Sequence, residues 1–390
     1  VSLNRRPGRG GWESADRQNS QSSPKRVHVY YPTMEDRHVP DSKVSRILLV
    51  RPSALGDVAR TVPALVTLRK AYPHAKIDWL VARSYTELLR HHPDLNDVLP
   101  FDRKRFGQMY YNPAAAWEAL TWCRQLRKAG YDLVVDLQGL LRSGIFTRIT
   151  GAPRRIGFAN AREGAAMAYT EKYDIDPQMH TVDRMLTLLA SAGMTLHHDM
   201  TLYPGQADVQ WVREYLDQHG GADAPYACIA PTAQWLCKCW PLEQYTRTAR
   251  RLLEMDSVGR RVVVIAAPHE QAMLQPMLDE LNSPAVLMPK MNVGQMLAML
   301  SRTSLLVCND SGPLHMAVGL NRAIVSIFGP TDPAVVGPYR RMETVVSAGP
   351  VDLATQHYFR HNRQDQSLIS KVTHEAVWEK IDEQLATRAK

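Results

Sequence analysis

From Ser45 onward, short apolar runs alternate with stretches of helical periodicity, and this rhythm limits the possible folds more than any other feature of the chain. The runs at 47–50 (ILLV), 77–81, 98–101 and 133–137 are too short and too continuously apolar for amphipathic helices; they suit strands buried on both faces. Between them, 85–91 and 114–129 have helical spacing. So do Val58, Val62, Leu65 and Val66, where Pro63 calls for a kink or a first-turn adjustment. Repeated strand–helix alternation argues for a parallel sheet with helices on both faces. The segment 180–194 reads as a helix stopped at Gly193. The rhythm then restarts with runs at 226–230, 262–266, 285–288, 305–308 and 324–328, and a last helix spans 374–389.

Two α/β domains of Rossmann type are the simplest account. At 390 residues the chain has room for two cores, since single cores stop growing near ~250–300 residues. The division expected is a basic tail at 1–44, an N-terminal domain at 45–205, a C-terminal domain at 225–372 and a C-terminal helix at 373–390, with a hinge near 200–225. The tail carries eight Lys or Arg against five acids and is rich in Ser, Gln, Gly and Pro. It is too poor in apolar residues to repay the entropy of ordering and is expected to be disordered.

No run approaches the ~18 apolar residues of a membrane helix, and no apolar secretory segment opens the chain, which reads as cytoplasmic. Five scattered cysteines suggest reduced thiols, and Cys237 and Cys239 are spaced too closely for an ordinary zinc knuckle, so no metal site is expected. A formal charge of +8 points to an anionic partner: nucleic acid, a membrane surface or phosphorylated small molecules.

In open α/β sheets, ligands bind beyond the carboxyl ends of the strands. Polar clusters stand at five such ends: Arg51-Pro-Ser-Ala-Leu-Gly56-Asp57; Asp136-Leu-Gln138-Gly139-Leu-Leu-Arg142-Ser143; Thr232 leading to Lys238-Cys-Trp240-Pro241; Ala267-Pro-His269-Glu270; and Asn309-Asp310-Ser311-Gly312-Pro-Leu-His315. Each has a bland counterpart. Asp57 suits a helix cap. Ser311 and Gly312 suit a capping turn, though a helix N-terminus also attracts a diphosphate. Lys238 is a solvated lysine or a point charge for phosphate. Gln138 and Arg142 are loop decoration or donors to sugar hydroxyls and acidic groups.

Taken together and in this order, R-P-S-A-L-G-D (51–57), D-L-Q-G-L-L-R-S (136–143), K-C-W-P (238–241) and N-D-S-G-P-L-H (309–315), supported by R-I-G-F (155–158) and H-T-V-D-R (180–184), resemble glycosyltransferase family 9, the ADP-heptose:lipopolysaccharide heptosyltransferases. The resemblance covers roughly 45–390. It implies a GT-B fold, inversion at the sugar carbon and no cofactor, with an ADP-sugar donor on the C-terminal domain and a lipid-linked glycan acceptor on the N-terminal one. By the same resemblance Asp57 is the general base and Lys238 neutralises the departing diphosphate. Thr232, Lys238, Glu270, Asp310, Ser311, Gly312 and His315 bind the donor; Gly56, Gln138, Arg142 and Ser143 meet the acceptor. Two departures from the family pattern fall on the donor side: a bulky Trp235 in the loop before the lysine, and Ala267-Pro268 before the glutamate.

A dinucleotide oxidoreductase is disfavoured, because the first turn offers only Gly56 where three glycines are needed. A nucleic-acid binder would interleave aromatics along a basic groove. The nearest candidate, Arg103-Lys-Arg105-Phe106 leading to Tyr110-Tyr111, suits peripheral contact with an anionic inner membrane as well. A non-catalytic nucleotide-sugar-binding or envelope-assembly protein is the competing class, and a transferase using a different sugar nucleotide is the nearer alternative.

Overall fold

A computed structural model describes residues 43–388. The expected disordered tail therefore lies outside the described residues, apart from Lys43 and Val44.

The chain folds into two parallel sheets of six strands, each covered by helices. The first contains β1 (Arg46–Val50), β2 (Lys76–Ala82), β3 (Asp97–Phe101), β4 (Leu133–Asp136), β5 (Arg154–Phe158) and β6 (Glu171–Tyr173), in the order β3-β2-β1-β4-β5-β6. The second contains β7 (Ala227–Ala230), β8 (Val262–Val264), β9 (Val286–Leu287), β10 (Leu305–Asn309), β11 (Ile324–Phe328) and β12 (Val345–Ser347), in the order β12-β11-β10-β7-β8-β9. Counted within its own half, the second order is the first one again. Each sheet thus reverses direction once, between β1 and β4 and between β7 and β10, and a crevice opens at each reversal.

The central strands are apolar because both faces are covered: β1, β4, β7, β10 and β11 are buried along nearly their whole length. In register, Val50 stands beside Asp136 at the end of β1 and β4, and Cys308 beside Ala230 in the second sheet. The three strands missed in the sequence, β5, β6 and β12, are edge or near-edge strands. β5 and β6 carry Arg154, Arg155, Glu171 and Lys172 in place of a continuous apolar run, and β12 is only three residues long.

The helix expected around Pro63 is two helices, Leu55–Arg60 and Val62–Ala71, divided at the buried Thr61. Pro63 occupies the first turn of the second, where its missing N–H costs nothing. The interval read as a hinge carries the helix Gln206–Asp217, which packs on Val293–Arg302 of the second half. Leu202 donates its N–H to the carbonyl of Gly319 at 3.1 Å, tying the connection down before that helix begins. Among the described residues no helix is long and apolar enough to cross a membrane.

The halves meet where the helices Leu55–Arg60 and Gly312–Gly319 cross. Each follows a strand at a crevice, so the crossing brings the two crevices together. The contact needs glycine on both sides: a Cβ on Gly56 would lie 2.7 Å from Cδ2 of His315, and one on Gly312 would lie 2.6 Å from Cδ2 of Leu55.

Candidate active site

Asp57 lies in the first turn of its helix and accepts the N–H of Ala54 at 3.3 Å, as a capping residue does. It also does more. Arg51 Nη2 approaches its Oδ2 at 3.1 Å, and Arg60, one turn along the helix, pairs with its Oδ1. Both arginines are buried, while the aspartate side chain keeps 27% of its exposure and so stays open toward the crevice. Burial pushes the Asp57 carboxyl up, but the two guanidinium groups outweigh it and hold the acid well below the usual carboxylate range. Asp57 is a carboxylate at any physiological pH.

Each arginine is anchored beyond Asp57. Arg51 donates from Nη1 to the carbonyl of Leu137, just past β4. Arg60 donates from Nη1 to the carbonyl of Val336 in the second half, at 2.8 Å.

The end of β4 is shaped by a buried carboxylate. Asp136 accepts the N–H groups of Gln138 (2.9 Å) and Gly139 (3.2 Å) and the hydroxyl of Tyr169 (2.8 Å); burial nevertheless raises its carboxyl above the ordinary value. The glycine of R-I-G-F makes room for this contact, since a Cβ on Gly157 would sit 2.3 Å from the Tyr169 ring. Two expected acceptor residues acquire different roles here. Ser143 is fully buried, donating to the carbonyl of Leu140 at 2.8 Å and accepting its N–H at 3.1 Å, so its hydroxyl caps a helix. Gly56 serves the close approach of the halves. Arg142 is exposed, its guanidinium 5.7 Å from the Phe101 ring centroid, and Gln138 is half-buried.

In the second half, Lys238 Nζ lies 2.6 Å from Asp310 Oδ2, which also accepts the hydroxyl of Thr331 at 2.9 Å. Burial raises the Asp310 carboxyl, but Lys238, with smaller help from Arg60, brings it below the usual value. Asn309 bolts the lysine segment to β10: its amide oxygen accepts from Trp240 N (3.0 Å) and Tyr245 OH (2.9 Å), and its nitrogen donates to Pro231 O (2.8 Å). Thr232 and Glu270 are brought together, the hydroxyl donating to Oε2 at 2.9 Å, and the same oxygen accepts the N–H of Ala267. Ser311 caps the helix Gly312–Gly319 with its own hydroxyl buried and unpaired.

His315, expected to reach phosphate, is buried against Gly56, and burial drives its imidazole well below the ordinary value, so it is neutral. Trp235 lies between two cations, Lys238 Nζ at 5.3 Å and Arg363 Cζ at 4.5 Å from its ring centroid. A cleft of about 230 Å³ opens there, lined by Trp235, Lys238, Thr331, Val336, Gln356 and Arg360 among others. A larger one, about 550 Å³, is lined by Arg105, Phe106 and Trp117 in the first half and touches none of the candidate catalytic, donor or acceptor residues.

The sequence pointed to Asp57 and Lys238 but not to the groups that hold them. Arg60 stands three residues after Asp57 on a helix, a spacing at which side chains meet, and that signal was available. Thr331 and the turn at 333–337 carried none.

With this geometry in place, comparison with known proteins decides the family. Residues 120–364 match the family described as "Glycosyltransferase family 9 (heptosyltransferase)". The chain belongs to glycosyltransferase family 9. It is accordingly a glycosyltransferase of the heptosyltransferase type, with the GT-B fold expected from its motifs. Among its relatives, lipopolysaccharide heptosyltransferase 1 of Pseudomonas aeruginosa is 32% identical over 302 residues, covering 76% of this chain and 82% of that one. The enzyme of the same name from Escherichia coli K12 is 29% identical over 306 residues, covering 78% and 93%. The solved structure of E. coli heptosyltransferase WaaC with ADP aligns with a TM-score of 0.69 at 26% identity, over 87% of this chain and 99% of that one. A family 9 transferase from Veillonella parvula aligns with a TM-score of 0.75 at 22% identity, over 88% and 98%.

Proposed function

We propose that the protein transfers a heptose from an ADP-sugar to the lipopolysaccharide core or a similar lipid-linked glycan, with inversion at the sugar carbon. The observation that carries this reading is the meeting of two crevices, one ending in the arginine-held carboxylate of Asp57 and the other in the Lys238–Asp310 pair. That one relative, E. coli heptosyltransferase WaaC, was solved both with ADP and with ADP-2-deoxy-2-fluoro heptose supports the choice of donor.

In this reading the acceptor hydroxyl attacks the anomeric carbon, the bond from that carbon to the diphosphate oxygen breaks, and the proton passes to Asp57. A carboxylate of such low proton affinity is always in the receiving state. It takes the proton late, once the new C–O bond has made the hydroxyl acidic. Lys238 meets the charge that develops on the departing diphosphate, a role in which fixed positive charge commonly supplies several kcal/mol. Asp310 aims the ammonium, and the backbone N–H groups at Ser311 and Gly312 lie toward the phosphates. Thr232 and Glu270 serve the nucleoside side. Gln138 and Arg142 face the acceptor, the guanidinium suiting an acidic group. The reading uses side-chain charge and backbone N–H groups.

We also assign the acceptor-side domain a peripheral contact with an anionic membrane. Met109, Tyr110, Tyr111 and Trp117 are exposed beside the exposed Arg103 and Lys104, and aromatic and basic residues together suit a lipid headgroup layer. Arg105 takes no part, because it forms a two-pronged pair with Glu118 at 2.6 and 2.7 Å.

Thermal shift against ADP, ADP-heptose, UDP-sugars, GDP-sugars and NAD tests the donor, since a ligand that binds the folded state raises its melting point. Stabilisation by ADP and ADP-heptose alone is the expected result. Preference for another sugar nucleotide would keep the mechanism and move the substrate, with Trp235 and Pro268 the first residues to examine. A response to NAD alone would overturn the reading.

A further inference from the structure

Three successive carbonyls of the second half accept hydrogen bonds from side chains of the first. Val335 accepts from Thr181 Oγ1 at 3.1 Å, Val336 from Arg60 Nη1 at 2.8 Å, and Gly337 from His180 Nε2 at 3.1 Å. These carbonyls lie at the C-terminal end of the short helix Pro333–Val336, where backbone acceptors have no partner within the helix, and the facing domain supplies the donors. Just beyond, Tyr339 donates to Asp183 Oδ1 at 2.5 Å and lies 2.7 Å from Nδ1 of His198. The H-T-V-D-R segment is thus a docking surface for the turn at 333–339. That turn follows directly from Thr331, which holds Asp310, the partner of Lys238.

Of the donors in this seam, Arg60 alone also grips Asp57. Arg51 makes the contrast plain: it grips the same carboxylate but anchors its other nitrogen on Leu137, within its own domain. Asp57 is therefore held by one arm fixed in the first half and one fixed only when the second half is in place.

We propose that Arg60 is a positioning residue that makes the setting of the Asp57 carboxylate depend on docking of the 333–337 turn. With the halves apart, Nη1 loses its acceptor and the guanidinium is free to turn away from Asp57. With the turn seated, the fork is fixed at both ends and the carboxylate is aimed. Proton abstraction is then confined to the closed state, in which Lys238 and the donor also face the acceptor. The proposal rests on the reading of Asp57 as the base.

The charges around Asp57 allow the coupling to be read in solution. Arg51 and Arg60 flank it; His315 faces it from the second half, while Asp310, the partner of Lys238, and His180, at the start of the helix Thr181–Ser191, face Arg60. Burial pushes both histidines toward the neutral form, leaving the arginines as the chief cations beside the carboxylate. Without Arg60, burial raises the carboxyl against Arg51 alone.

The experiment is the pH dependence of kcat and of donor KM for the wild type, R60K and R60M, with D57N as control and the ADP-induced thermal shift as proof of folding. R60M is expected to lose about ten-fold or more in kcat with donor KM nearly unchanged, the scale on which misplacing a reacting group acts. Its acid limb should move up from the wild-type position, since Arg51 alone then opposes the effect of burial. R60K keeps the charge but lacks the fork that spans both partners; it should restore the limb and leave kcat reduced. A folded R60M with the wild-type acid limb would overturn the proposal. Should R60M lose the ADP shift, R60K carries the test, and wild-type kcat in R60K overturns it. Full activity in D57N would instead remove Asp57 as base, a failure distinguishable from that of Arg60.

Discussion

The two halves share a strand order and differ in what stands at its ends. At the end of β4 the first half buries Asp136, which binds two backbone N–H groups and Tyr169; at the equivalent end of β10 the second half buries Asn309, which binds Trp240, Tyr245 and Pro231. Both residues are fully buried, and each fixes the loop that carries the chemistry. Next to those bolts the chemistry diverges. The first half sets two arginines on one acid, Asp57; the second sets a lysine and a hydroxyl on one acid, Asp310. One topology thus supplies a permanently charged carboxylate and a fixed ammonium, as group transfer from a diphosphate requires. Fold alone would not have separated these roles.

The sharpest way to break this comparison is to neutralise each charge in turn. Lys238→Met should cost about 10²–10³-fold in kcat, since it removes the cation we propose to face the leaving group. Asp57→Asn should cost about 10²-fold or more while leaving ADP affinity intact. Steady-state kinetics with ADP titration checks both, and loss of ADP affinity in Asp57→Asn would erase the division of labour. Next in size is Asn309→Ala, which strands the Trp240 N–H and the Pro231 carbonyl in a buried site. A loss of about 2–6 kcal/mol in a denaturant melt is expected, at ~1–3 kcal/mol for each group left unpaired.

The seam between the halves makes a smaller, pH-dependent prediction. His315 is neutral in the fold because burial depresses it, whereas the unfolded chain takes up a proton below about pH 6.5. Its contribution is therefore complete above that value and is lost as the pH falls toward the folded-state pKa, at no more than about 1.4 kcal/mol per pH unit. His315→Gln should narrow the difference in melting temperature between pH 7 and pH 5.5. An unchanged difference would remove His315 from the acid sensitivity. The smallest effect belongs to the membrane face: changing Arg103 and Lys104 to Ser together with Trp117→Ser should weaken salt-dependent binding to anionic vesicles while leaving ADP binding alone. Unchanged vesicle binding would sink that assignment.

What could be read in the sequence follows from the range of the interactions concerned. Central strands announce themselves because burial on both faces leaves only apolar residues, as in 47–50 and 324–328. Edge strands such as Glu171–Tyr173 carry charge and do not announce themselves. Asp57 and Lys238 were legible because strand ends at a topological reversal are where ligands go. Their partners were not, because the carbonyl that anchors Arg60 lies 276 residues away and a backbone carbonyl has no residue type. The structural tasks of Ser143 and Gly56 were hidden for a related reason: hydroxyls and glycines at strand ends also cap helices and admit neighbours, and only the packing shows it.

The most direct test of the account is transfer itself: purified protein, ADP-heptose and lipopolysaccharide from a heptose-deficient strain, followed by mass spectrometry of the acceptor and by release of ADP, with wild type and Asp57→Asn side by side. The account predicts one heptose added for each ADP released by the wild type and almost none by the variant, although both bind ADP. Equal transfer by the two proteins, or no transfer by a wild type that binds ADP-heptose, would contradict it.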